Sequence, residues 1–162
     1  MKSVPSRPNR AILSTAPQPQ QPGPTSHYDT DFVEWADATA KLLRAGRLAE
    51  VDLEHLTEEI EDLGRNARSA VKSQLARMLM HLIKQRIHPE RRGSGWRGSI
   101  VDARREILFK IEDSPSLKRF ARKVLPDAYR QAVKDAMYET QVPPGRAAEI
   151  PAECPWTLDE LL

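Results

Sequence analysis

Apolar residues recur at intervals of three and four through most of this chain, the repeat of a helix that hides one side. Phe32, Trp35, Ala36, Thr39, Leu42 and Leu43 mark a first helix, opened by Asp29 or Thr30 as cap, with Asp31 and Glu34 in its first turn, and closed at Gly46. Leu53, Leu56, Ile60 and Leu63 follow on one stripe behind a cap at Asp52, with Gly64 as the expected stop. The next stripe is the broadest: Ala67, Val71, Leu75, Met78, Leu79, Leu82 and Ile83, widened by Met80 and Ile87. A helix that apolar belongs at the centre of its bundle. Pro89 terminates it.

Past a Pro/Gly turn, Ser94 or Gly95 opens a helix that turns Trp96, Ile100, Ala103, Ile107 and Ile111 inward. Ser114 and Pro115 form a cap and a first helical position for the next, which carries Leu117, Phe120, Ala121 and Val124. Pro126 either kinks that helix or starts another through Tyr129, Val133, Ala136 and Met137. Pro143-Pro144-Gly145 breaks the pattern, and Thr157 with Glu160 makes a small capping box for LDELL. No segment alternates as a strand would. The expectation is an all-α fold, a compact bundle of five or six mainly antiparallel helices, with Leu79, Leu82, Ile60, Trp96, Ile100, Ile107 and Phe120 in its core.

The pattern is missing at the start. Six of the thirteen prolines lie in the first 24 residues, among them PQPQQPGP at 17–24. Nothing there offsets the entropy of ordering, so residues 1–27 read as a disordered Pro/Gln-rich tail and 28–162 as one helical domain. The tail has neither the apolar block of a secretion signal nor the amphipathic pattern of a transit sequence. No apolar run approaches the length of a membrane span, which points to a cytoplasmic protein. The single cysteine, Cys154, allows no internal disulfide and fits a reducing compartment.

Charge adds a contrast that the formal total of +2 conceals. Glu50 to Asp62 holds seven carboxylates and no Lys or Arg, whereas Lys84 to Arg105 holds seven Lys/Arg against two acids. Helical angles set Arg77, His81, Lys84 and His88 on one flank of the central stripe, with Arg97 and Arg104 flanking Trp96. Glu59 borders the stripe of the acidic helix. Glu59, His81, Lys84, Arg97 and Arg104 therefore form a candidate polar network or interaction site, and a network that fixes helix register is favoured over an anion pocket. Arg86, Arg91, Arg92 and Arg105 form a candidate basic surface.

Several segments together resemble a known family: YDTDFVEWADATAKLLRAGRL at 28–48, LEHLTEEIEDLGR at 53–65, LMHLIK at 79–84, SGWRGSIVDARREI at 94–107, EDSPSL at 112–117 and CPWTLDELL at 154–162. In order and without gaps, they are similar to the bacterial helical domain-of-unknown-function family numbered twenty-nine. The resemblance implies a compact helical domain with no established activity, and it carries over no catalytic or ligand residue.

Chemistry read from the residues themselves is sparse. His55 and Glu59 have a chelating i, i+4 spacing, but two ligands are too few for a metal, and no cofactor is expected. Cys154 lies between Glu153 and Pro155 with no cation close in sequence to activate it. GSGWRG at 93–98 lacks the lysine and preceding strand of a phosphate loop. With no catalytic set in view, the expectation leans away from an enzyme and towards a protein–protein interaction or regulatory module, through an unknown partner or self-association. The alternative is nucleic-acid binding or processing by the basic 84–105 hairpin.

Overall fold

The computed structural model describes residues 27–91, 94–142 and 144–162. The expected tail, except for His27, lies outside them. The described residues form six α-helices and no strand: α1 Phe32–Arg44, α2 Leu53–Ile87, α3 Ser94–Asp113, α4 Ser116–Thr140, α5 Pro144–Ala147 and α6 Leu158–Leu161. The fold is all-α. The chain divides into two units, ending and beginning at Glu58 and Glu59, and α2 passes through both.

In the first unit the Asp31 side chain caps α1, accepting from the Glu34 amide at 2.9 Å. Gly46 follows the helix at φ 69°, the left-handed region where a side chain is strained. Trp35 and Thr39, one turn apart, are buried, as is Val51 just ahead of α2. Phe32 and Leu43, expected on the hidden stripe, are exposed.

The second unit holds the continuous core. Val71, Leu75, Met78, Leu79, Ile83 and Ile87 of α2 meet Ile100, Ala103 and Ile107 of α3. From α4 come Leu117, Ala121, Leu125, Tyr129 and a file of alanines, and α6 adds Leu158 and Leu161. The alanines Ala128, Ala132 and Ala136 repeat every turn and leave room for close helix approach. Arg68 lines one cavity with Ser116 and Phe120, at the start of α4, and Lys84 pairs with Glu139, at its end. So α2 and α4 run the same way, and α3, joined to each by a short connection, runs in the opposite direction.

Two sequence expectations change, and the open choice at Pro126 closes. Gly64 does not end a helix: α2 continues for 35 residues, because apolar spacing resumes without a phase break and Gly64 keeps helical geometry. Ile60, expected in the core, is 60% exposed. Pro126 lies within the single helix α4, on its exposed side. Leu79, Ile100 and Ile107 are buried as expected, while Leu82, Trp96 and Phe120 are half-buried. Thr157 and Glu160 make the predicted capping box.

Candidate functional site

Polar side chains converge at the carboxyl end of α2. Lys84 lies inward on the helix, its side chain only 4% exposed, and pairs with half-exposed Glu139 of α4. One turn on, His88 is buried and brings Nδ1 to 3.0 Å from Glu90 Oε1. Glu90 accepts only, so Nδ1 is the donor, and Nε2 is buried without a hydrogen-bond partner among the described residues. Arg146 of α5 reaches the same carboxylate at 3.1 and 3.2 Å and donates to the Ile87 carbonyl at 2.6 Å. The Glu90 carboxyl is held down at about 2, first by its own backbone N–H and then by His88 and Arg146.

His81 is half-buried beside this group. Burial lowers its pKa, and the nearby charges of Lys84 and Arg77 lower it further, so the ring is neutral at pH 7. Its Nδ1 is buried with no hydrogen-bond partner among the described residues. A general base is usually oriented by a partner on its second nitrogen, and no described residue supplies one to His81 Nδ1.

The other candidates of the polar network go elsewhere. Glu59 and His81 lie on one unbroken helix, 22 residues and roughly 33 Å apart. Arg104 is half-buried and donates from Nε to the Leu161 carbonyl at 2.7 Å, tying α3 to the chain after α6 begins. Arg97 is exposed in the first turn of α3. Of the basic surface, Arg86 is exposed and Arg105 pairs with Asp102 at 3.0 Å. The side chains of Arg91 and Arg92 lie outside the described ones.

A groove runs between α4 and the segment before α6, about 490 Å³ in volume, with Arg122, Tyr129, Arg130, Cys154 and Trp156 among its walls. The Tyr129 hydroxyl donates to the Pro151 carbonyl at 2.7 Å, and its ring meets Trp156 edge-on. Arg122 is occupied by Asp159, which also takes Lys118. The Cys154 thiol donates to the Trp156 carbonyl at 3.3 Å, and burial pushes its pKa up, the opposite of what a nucleophile needs.

In the first unit, Asp52 opens α2 by accepting from the His55 amide at 3.3 Å and holds the His55 ring at 2.5 Å. That bond is the main reason the His55 pKa is raised. The ring lies 4.0 Å from that of Tyr28, which meets Trp35 edge-on at 4.9 Å. A protonated imidazole over a phenol ring gains cation–π attraction. This cluster is legible only in hindsight as a Asp-x-x-His helix start; sequence spacing alone had paired His55 with Glu59.

One surface is conspicuous for what it exposes. Along the first half of α2, Leu53, Ile60 and Leu63 are 59%, 60% and 69% exposed, on the stripe that also holds half-buried Leu56. No group of three or more His, Cys, Asp or Glu side chains is placed to hold a metal among the described residues. Nor is any described helix long and apolar enough to cross a membrane.

Compared with known proteins, residues 27–162 match the family described as domain of unknown function DUF29. The chain belongs to that family. The match takes in both units and every described helix, as the six shared segments suggested. No curated protein and no solved structure matches. DUF29 membership attaches no reaction to the chain, so function has to be argued from the surfaces just described.

Proposed function

We propose that this DUF29 domain is a protein–protein interaction module that works through the exposed apolar stripe of α2. The observation that carries this reading is the triplet Leu53, Ile60 and Leu63, each more than half exposed and all on one face. Single exposed leucines are ordinary on protein surfaces, whereas aligned ones at helical spacing form the anchor pattern of helix recognition. The polar groups support the same reading by being occupied. Lys84, Glu90, Arg104, Arg122 and Arg146 all serve contacts within the fold. The nucleic-acid alternative draws less support, because within the 84–105 segment Arg104 donates to the Leu161 carbonyl and Arg105 pairs with Asp102, leaving Arg86 and Arg97 as its other described, exposed arginines.

The test is crosslinking in the native cell with wild type and Leu63→Glu. A stoichiometric crosslinked species, lost in the variant while its circular dichroism is unchanged, is the expected result. Absence of any such species with the wild-type chain overturns the proposal.

A further inference from the structure

Carboxylates are absent from two stretches of the second unit: residues 63–89, which hold most of α2, and residues 114–126, which open α4. Steps of three and four set Ser116, Arg119, Phe120 and Lys123 on one face of α4. With Leu117 and with Arg68 of α2 they line a cavity of about 320 Å³. Other cations nearby are taken, Arg65 by Asp62 and both Lys118 and Arg122 by Asp159. Arg68, Arg119 and Lys123 have no carboxylate partner among the described residues. Glu112 and Asp113 precede the turn into α4 but pair with none of the three, and Glu112 lines a different groove with Val101 and Leu108.

Three cations gathered round one small cavity repel one another, and no described acid is paired with any of them to offset that repulsion. The balancing charge has to come from outside. We propose that this cavity binds the phosphate group of a small organic phosphate monoester. Two guanidinium forks can each offer paired N–H donors to phosphate oxygens, and the Lys123 ammonium adds a compact point charge. The Ser116 hydroxyl supplies a further donor. Leu117 is buried and Phe120 half-buried, so the remaining wall is apolar and suits the carbon-bearing side of an ester. The volume lies near the lower end of the roughly 300–1,000 Å³ of ligand sites, which fits a small molecule. A nucleic-acid strand spreads its phosphates in a row, whereas these cations border one cavity. The site is separate from the Leu53, Ile60 and Leu63 stripe and is tested independently of it.

The experiment is calorimetric titration of the full chain at low salt with phenyl phosphate, inorganic phosphate and a DNA oligonucleotide lacking terminal phosphates. The expected result is saturable binding of phenyl phosphate with a Kd below about 1 mM, tighter than that of inorganic phosphate. Arg119→Gln combined with Lys123→Gln should weaken it at least about tenfold with circular dichroism unchanged, and Arg68→Gln alone about threefold or more. Should the double variant lose its fold, Arg68→Gln decides. Arg97→Gln, which removes an exposed arginine that does not line the cavity, should leave binding as it was. No saturation by about 10 mM phenyl phosphate overturns the proposal. So does binding that survives the cavity variants, or that Arg97→Gln weakens equally, because either result puts the anion elsewhere. Inorganic phosphate bound as tightly as phenyl phosphate overturns the assignment to an ester. An oligonucleotide bound more tightly than phenyl phosphate assigns these cations to a nucleic-acid backbone and overturns the proposal as well.

Discussion

Arg146 Nη1 lies 2.6 Å from the Ile87 carbonyl oxygen, so a guanidinium 59 residues downstream closes the open end of α2. The last carbonyls of a helix have no partner within it and carry its partial negative charge. A cation there satisfies both needs. Arg146→Met keeps much of the apolar stem and removes the donor; it is expected to cost about 1–2 kcal/mol, read as a lower urea midpoint at unchanged slope.

Lys84 and Glu139 are unequally buried, and the two halves of the pair should respond unequally. Glu139→Gln leaves a cation stranded in the core and is expected to cost about 2–3 kcal/mol. Lys84→Met fills the same space without charge and is expected to be within about 1 kcal/mol of wild type or more stable. Equal losses for both, in denaturant titrations at pH 7, contradict this account.

The acid limb of stability should carry the signature of Glu90. Its folded pKa, about 2, lies below the ordinary carboxylate value of 4.5, so its contribution is complete above 4.5 and is lost as pH falls towards 2. Glu90→Gln should flatten the midpoint-versus-pH curve within that window and leave its slope elsewhere unchanged.

His55 acts at the other end of the scale. Its pKa is raised above 6.5 by Asp52, so the pair stabilises fully below 6.5 and loses that contribution as pH rises through the raised value. Proton NMR titration of the His55 ring in wild type and Asp52→Asn is the direct measurement, with a downward shift expected in the variant.

Two glycines should answer alanine in opposite directions. Gly64 lies mid-helix, where an added Cβ meets only the mobile guanidinium of Arg68 at 3.4 Å, so Gly64→Ala is expected to stabilise by about 0.5–1 kcal/mol. Gly46 has open space around it but a φ of 69°, so Gly46→Ala is expected to destabilise by about 1 kcal/mol. Thermal melts of the two variants decide both.

Helical periodicity carried the fold class, the core of α2 and α3, and the Thr157 cap, because each depends on residues a few positions apart. The same local view failed at Gly64 and left Pro126 open between a kink and a new helix. Breaker residues weigh heavily when read singly, yet helical spacing runs on past Gly64 into the buried half of α2, and burial of Leu125 and Ala128 beside Pro126 holds α4 through. That error propagated: two short helices could bring Glu59 beside His81, and one long helix cannot. The Arg146–Ile87, Arg104–Leu161 and Tyr129–Pro151 bonds were invisible because each joins a side chain to a distant backbone oxygen. Every residue offers that acceptor, so no pattern of residue types betrays it.

The thiol of Cys154 donates to the Trp156 carbonyl, two residues on, inside a half-closed groove. A disulfide reagent needs the ionised sulfur, and burial holds that form down, so the wild-type thiol should react more slowly than a free cysteine. The chain thus carries its own chemical gauge of how the stretch ahead of α6 packs, readable by absorbance with no label attached.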